Sequence, residues 1–330
     1  MASHRFDVLA LGNAIVDIIA RVDDDFLVRE GIHKGAMNLI DEARAEHLSA
    51  IIGKTRTISG GSAANTTTGL ASFGAKAAFI GKVKSDATGH AFTSDIHHAS
   101  VHFATPPTKE GPATARSFIL VTPDGQRSMN TYLGACQNLT MADVDEAVVS
   151  QSGIVYLEGY LWDPPAAKQA FLKASEIAHA NGRRVALTLS DSFCVDRYRD
   201  EFLGLIRNRI VDIVFANSSE LHSLYQTADY DTAVGALQAE DVLGVVTRSE
   251  LGSVIVTKTG VRPVPAHPIQ QIVDTTGAGD LFASGFLYGL SRSLDHAECA
   301  RLGSLAASEI IQHIGARPEV NLADLAGIRR

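Results

Sequence analysis

The chain has 330 residues, 45% hydrophobic and 20% charged, with a formal net charge of -8. These values describe an ordinary globular protein with ample core, built as one large domain or as one with a smaller appendage. An acidic balance without a long basic run argues against a nucleic-acid backbone as partner.

The first predicted strand is Asp7–Leu11, and Gly12-Asn13-Ala14-Ile15-Val16-Asp17 follows it directly. Ligands in α/β sheets sit beyond strand ends, where the two oxygens of Asp17 could accept bonds from neighbouring hydroxyls of a sugar. The alternative is a solvated aspartate closing a strand. Ile18–Asp41 reads as short strands around a Gly31–Gly35 loop, without a helix of its own. Ser59-Gly60-Gly61-Ser62-Ala63-Ala64-Asn65 is a glycine-rich turn near a helix start. Its glycines permit close backbone approach and Asn65 can bond hydroxyls, although a tight strand-to-helix connection would look the same.

After the strand Ala77–Lys82, the segment Thr114–Ala135 reads as a hairpin of Arg116–Val121 and Ser128–Leu133, turning at Pro123-Asp124-Gly125. The two irregular segments, 18–41 and 114–135, are expected to form one small β lid. The large domain is then made of 1–17, 42–113 and 136–330. Beyond residue 135, strands at Ile154–Leu157, Arg184–Leu189, Ile213–Ala216, Val242–Thr247 and Ser253–Thr257 are interspersed with helical patterns such as Ala166–Ala180 and Asp200–Asn208. Continuous apolar strands alternating with helices predict an α/β fold, with a mostly parallel sheet covered on both faces.

Asn217-Ser218-Ser219-Glu220 leaves one of these strands. The amide and the carboxylate could hold water around Mg²⁺, or could form a helix capping box. The most informative stretch comes last: Asp274-Thr275-Thr276-Gly277-Ala278-Gly279-Asp280, running into the apolar helical pattern Leu281–Leu290. Free N–H groups at a helix start attract anions, phosphates above all. A carboxylate in that place makes sense if Asp280 takes a proton from a hydroxyl that then attacks the bound phosphate. A glycine turn with an aspartate cap is the plainer alternative, and the small pair Ser284-Gly285, which suits close helix packing, favours the chemical one.

Several chemistries are excluded. The chain lacks GxxxxGK[ST], a GxGxxG after a strand, and a GxSxG elbow. His97, His98 and His102 have no HExxH pattern and read as surface histidines. Cys136, Cys194 and Cys299 lie far apart and form no CxxC pair, which fits a reducing compartment and argues against a disulfide scaffold or zinc ribbon. No signal-peptide pattern is present, and no apolar run approaches the ~20 residues needed to span a bilayer. The expected location is the cytoplasm, away from membranes.

Together, Asp17, the Gly60-Gly61 pair with Asn65, the Asn217–Glu220 pair and the late Asp274–Asp280 turn with Ser284-Gly285 resemble the ribokinase-like (PfkB) family of carbohydrate and nucleoside kinases. The match covers nearly the whole chain, and the late turn is its most specific part. The resemblance implies a central, mostly parallel sheet flanked by helices, a small β lid, and use of ATP with Mg²⁺. It implies Asp280 as the base and the N–H groups of Gly277, Ala278 and Gly279 as an anion hole. Asn13, Asp17, Gly60, Gly61 and Asn65 would hold substrate hydroxyls, and Asn217 and Glu220 would organise Mg²⁺ mostly through water. Asp274 and Thr276 match positions that help hold a monovalent cation such as K⁺. Thr247 and Gly252 would contact the nucleotide, although Thr247-Arg248-Ser249 departs from the family's Thr-x-Gly.

Within the family, the chain resembles the adenosine-kinase-like branch in Gly12–Asp17, Lys34-Gly35-Ala36-Met37, Ser128–Ala135 and Gly315-Ala316-Arg317-Pro318. Met37, Leu39, Tyr132 and Leu133 of the lid, with Tyr160 after a nearby strand, offer an apolar and aromatic lining for a flat base. They could equally be the small core of the lid. The expected activity is transfer of the γ-phosphoryl group of ATP to the 5′-hydroxyl of a nucleoside such as adenosine. The alternatives are a sugar kinase acting on ribose, fructose or a sugar acid, and a silent nucleoside- or nucleotide-binding sensor, against which Asp280 argues. The expected partner is a small-molecule substrate. The expected assembly is a monomer or a homodimer, with the choice left open because lid edges either pair with another subunit or stay exposed.

Overall fold

A computed structural model describes residues 4–328, so the outermost ends of the expected large domain lie outside the described residues. In chain order the strands are β1 (Phe6–Leu11), β2 (Ile15–Arg21), β3 (Met37–Leu39), β4 (Thr55–Gly60), β5 (Ala77–Ile80), β6 (His102–Phe103) and β7 (Ala115–Val121). They continue with β8 (Arg127–Tyr132), β9 (Ser152–Glu158), β10 (Arg184–Thr188), β11 (Ile213–Asn217), β12 (Leu243–Thr247), β13 (Ser253–Thr257) and β14 (Gly260–Val264).

A nine-stranded sheet runs β14-β13-β12-β11-β10-β9-β1-β5-β6, and a five-stranded sheet runs β3-β8-β7-β2-β4. The large sheet is parallel from β12 to β6, while β13 and β14 run antiparallel at one edge. Its central strands, such as β1 and β5, are apolar runs because both faces are buried, while the edge strand β14 is exposed from Val261 to Pro263. Leu9, Leu11, Val155, Leu157, Val185 and Leu187 point into one core with Phe171 and Phe202, from the helices Pro165–Ala180 and Ser192–Arg207. Val8, Ala10, Ile154, Tyr156 and Ala186 point the other way, onto Leu70 and Phe286 from Ser62–Ser72 and Ala278–Ser291. The predicted α/β class is the observed one. The expected helix Asp200–Asn208 is the second half of Ser192–Arg207, which is interrupted at Tyr198.

The second sheet departs from the expected lid in three ways. It begins at Ile15 in β2, and it takes β4 from the stretch assigned to the large domain. The lid segment 18–41 also contains a helix, Asp24–Arg29, capped by the Asp23 side chain. With Glu42–Ile51 that helix covers one face of the sheet: Leu27, Ala45 and Leu48 pack on Ala20, Phe118, Leu120 and Tyr132. The opposite face carries Ile19, Ile119, Val121, Ile58 and Met129. No helix among the described residues is long and apolar enough to cross a membrane.

Candidate active site

The carboxyl ends of β1, β9 and β11 point to one region, and two helices start there. Thr66 Oγ1, in the first turn and a half of Ser62–Ser72, donates to the carbonyl of Asp280 at 3.2 Å. That contact joins the Ser59–Asn65 turn to the Asp274–Asp280 turn. Asp280 accepts from Ser62 Oγ at 2.6 Å and from Asn65 Nδ2 at 3.0 Å. Burial raises its carboxyl above the ordinary aspartate value, while these two bonds and the positive charge of Arg317 pull it back. A buried carboxylate held by short donors is a competent proton acceptor.

Gly277 caps the helix Ala278–Ser291 at φ 79°, in the left-handed region that favours glycine. Two residues on, Gly279 has open space where a Cβ would stand. At this helix start the Ala278 N–H donates to the Thr275 carbonyl at 3.2 Å, while those of Gly277 and Gly279 make no backbone bond; N–H groups left over at a helix start suit an anion.

Asp17 is buried on β2. Burial pushes its carboxyl up to about 7; the charge of Arg317 opposes this and that of Asp280 adds to it. A Cβ on Gly60 would stand 2.3 Å from an Asp17 oxygen, so only glycine lets that carboxylate lie against the turn. Asn65 has an Oδ1 that is buried and without a hydrogen-bond partner. Buried acceptors are normally satisfied, and this one is free to take a hydroxyl from a ligand.

Asn13 is held by a residue that the sequence reading missed. Glu158, the last residue of β9, accepts from Asn13 Nδ2 at 2.7 Å, Asn13 N at 3.3 Å and Ala63 N at 2.8 Å. Burial raises it to about 7, against those three donors. The available signal was a carboxylate ending an otherwise apolar parallel strand.

Asn217 and Glu220 form the capping box. Glu220 accepts from Asn217 N at 3.0 Å and Nδ2 at 2.5 Å, and Asn217 Oδ1 accepts from Glu220 N at 2.9 Å. Burial raises Glu220 to about 7, and the nearby charge of Asp191 adds to the shift. Two neighbouring carboxylates suit a hydrated dication. Mg²⁺ keeps several of its waters and is bound through one or two carboxylates, which Glu220 with the nearby Asp191 matches.

Asp274 and Thr276 do not fit a monovalent cation. Asp274 Oδ2 pairs with the Arg127 guanidinium and accepts from Gly315 N at 2.8 Å, while Oδ1 accepts from Thr276 N at 2.9 Å. Thr276 Oγ1 accepts from Arg127 Nη1 at 3.2 Å. A protein cation from the lid strand β8 already neutralises this carboxylate.

The remaining predicted contacts divide. Met37 and Leu39 are 52% and 58% exposed on β3, with Met37 opposite Met129. Tyr132 is not with them: it belongs to the covered face of the lid, beneath Glu42–Ile51, so its assignment to a base slot is corrected. Leu133 is half-buried at the end of β8. Tyr160 is 41% exposed, in the turn after β9. Thr247 ends β12 and bonds the Ala216 carbonyl at 3.5 Å. Ser249, where the family has glycine, takes φ 50°, so the backbone keeps a glycine-like course. Gly252 uses its missing Cβ on close approach to the Val264 carbonyl, 2.2 Å from that position.

The sequence pattern of the pfkB family carbohydrate kinases matches residues 32–322. A solved structure of adenosine kinase from Sinorhizobium meliloti is 55% identical, with a TM-score of 0.91 over 98% of this chain and 99% of that one. A probable sugar kinase from Rhizobium etli is 52% identical, with a TM-score of 0.92 over 99% and 100% of the two chains. The cytidine kinase of Thermococcus kodakarensis is 30% identical over 80% of this chain and 91% of its own. With the family pattern matched over residues 32–322 and the fold shared with these kinases, the chain belongs to the pfkB family of carbohydrate kinases and is a phosphotransferase acting on an alcohol group.

Proposed function

We propose that this protein is an ATP-dependent nucleoside kinase, with adenosine or a close relative as acceptor and the 5′-hydroxyl as nucleophile. The observation that carries the reading is the pairing of Asp280 with Ser62 and Asn65 at the start of the helix Ala278–Ser291. Asp280 accepts the hydroxyl proton, the N–H groups of Gly277, Ala278 and Gly279 receive the charge developing on the transferring phosphoryl group, and Asp17, Asn65 and Asn13 hold the ribose. Phosphoryl transfer needs such in-line positioning and charge neutralisation more than covalent chemistry. Magnesium held through water by Glu220, with Asn217 alongside, would neutralise the donor phosphates. The buried, unpaired cysteines are compatible with a cytoplasmic location.

The base is the finer part of this reading. Met37, Leu39 and Met129 leave an apolar lid surface that suits a flat ring. The sugar-kinase alternative is favoured by the polar set Asn13–Glu158–Asp17. Adenosine and ribose separate the two. Adenosine is expected to show a much higher kcat/KM, because the base supplies remote binding energy, and Met37→Ala with Leu39→Ala should erode that advantage while leaving the ribose rate nearly unchanged. Equal or better turnover of ribose or a sugar acid would reject the nucleoside reading.

Asp17→Asn should raise KM for the acceptor about tenfold, with little change for ATP, since removing a charged partner of a buried hydroxyl costs roughly 1–3 kcal/mol. The same variant should melt at a higher temperature than the parent at pH 8. A carboxyl raised to about 7 by the fold favours its protonated form; stability from that group is fully present below the unfolded value and is lost as the pH climbs through 7. Melting curves at pH 5 and pH 8 check the sign. The Arg127–Asp274 pair also predicts that exchanging K⁺ for tetramethylammonium at constant ionic strength changes the rate less than about twofold, because the guanidinium supplies the charge there. Strong K⁺ activation would contradict that reading of the pair.

A further inference from the structure

Arg317 is the cation around which the acceptor side of this site is built, and none of the roles above includes it. It lies in the chain just past Gly315, and its guanidinium donates to three atoms of the opposite turn. Nε reaches the Ser59 carbonyl at 3.0 Å, Nη2 the same carbonyl at 2.5 Å and Ser59 Oγ at 2.6 Å, and Nη1 the Ala64 carbonyl at 3.2 Å. Those partners bracket Gly60, Gly61 and Ser62, the stretch that carries the seat for Asp17 and the donor to Asp280. Ser59 is fixed from the other side by Asp95 on the helix Ala87–His98, which accepts from its N–H at 2.8 Å and from its hydroxyl.

We propose that Arg317 is a positioning residue for phosphoryl transfer: its guanidinium clamps the glycine turn that seats Asp17 and carries Ser62, the donor to Asp280. A planar guanidinium with a fixed fork of donors suits a clamp on two carbonyls, and its charge survives partial enclosure better than that of lysine. Burial lowers Arg317 to about 10, against the pull of Asp95, Asp17 and Asp280, so it is cationic at neutral pH. Of the other groups around the two carboxylates, Asp280 repels both Asp17 and Glu158 from β9, whereas Tyr156 from β9 and Tyr160, raised by burial and by the charge of Asp280, stay neutral phenols. Arg317 is the cation acting on both Asp17 and Asp280.

The inference rests on Asp280 being the base, and two measurements keep the questions apart. The first is direct titration by NMR of protein with ¹³C-labelled aspartate carboxyls, with Asp280→Asn and Asp17→Asn assigning the signals. In Arg317→Met the Asp17 and Asp280 midpoints should rise by about one pH unit, the usual scale for loss of an opposite charge; in Arg317→Lys they should stay near those of the parent. Asp95→Asn keeps both acceptor bonds to Ser59, makes the neighbourhood more positive, and should lower the midpoints; it also serves if the methionine variant does not fold. Midpoints unmoved in Arg317→Met, or unmoved or raised in Asp95→Asn, overturn the proposal. The second measurement is the acid limb of kcat against pH. It should move up in step with the Asp280 midpoint, so that Arg317→Met loses about tenfold in rate on the limb and recovers at higher pH. If the midpoints move and the limb does not, Asp280 is not the base, while the electrostatic role of Arg317 stands.

Discussion

Asp280→Asn is expected to lower kcat by about 10²–10⁴-fold, the usual contribution of a general base, while acceptor binding survives. Asparagine keeps the shape of the side chain, and its carbonyl oxygen can still accept from Ser62 Oγ, which lies 2.6 Å from the native carboxylate. The lost element is the proton acceptor. In the parent, burial raises the carboxyl above the ordinary aspartate value, so activity should fall as the pH drops through that raised value, and the variant should lack this limb. KM for the acceptor should change little, because Asp17, Asn13 and Asn65 remain. Steady-state kinetics across pH 5–9 test both statements, and a variant with near-normal kcat would end the assignment.

The second large effect is expected from Gly277→Ala. The position has φ 79°, and a Cβ there would stand 2.8 Å from the Ala316 Cβ. A non-glycine residue in the left-handed region costs about 1–3 kcal/mol, and relief of the clash must move either the turn or the segment that carries Arg317. In either case the N–H groups lose their aim at the phosphoryl oxygens. Removing one such donor typically lowers kcat by about 10²–10³-fold. The loss should fall on kcat, since oriented donors act mainly on charge that develops in the transition state. Thermal melting run in parallel separates the two effects: a variant that melts a few degrees lower but turns over at the parent rate would show that these N–H groups are not the anion hole.

The strands and the late turn were legible in the sequence for a shared physical reason. Strands buried on both faces read as continuous apolar runs, and Gly277-Ala278-Gly279 before an apolar helical pattern announces a helix start. The limits of the lid were less legible. β4, Thr-Arg-Thr-Ile-Ser-Gly, is too polar to alternate clearly, and it enters the second sheet only through long-range pairing with β2. Tyr132 was misplaced although strand parity was available: it lies three residues from Met129, and period two puts those side chains on opposite faces. Asn217 and Glu220 show a local motif meeting two demands, since the capping box that local spacing favours is formed and still leaves a buried carboxylate beside Asp191. Glu158, Arg127 and Arg317 act through partners 95 to 258 residues away in the chain. Single charged residues at such separations leave no local pattern, and only the fold brings them to Ala63, Asn13, Thr276 and Ser59.

As proposed, this site moves a phosphoryl group from ATP to the 5′-hydroxyl of a nucleoside, with Asp280 as base. The most direct test is ³¹P NMR of a reaction holding Mg-ATP and adenosine, run with the parent and with Asp280→Asn. ADP and a 5′-phosphate monoester of adenosine are expected in equal amounts from the parent, and almost none of either from the variant. ATP left unchanged by the parent, or a monoester formed as fast by Asp280→Asn, would contradict the proposal.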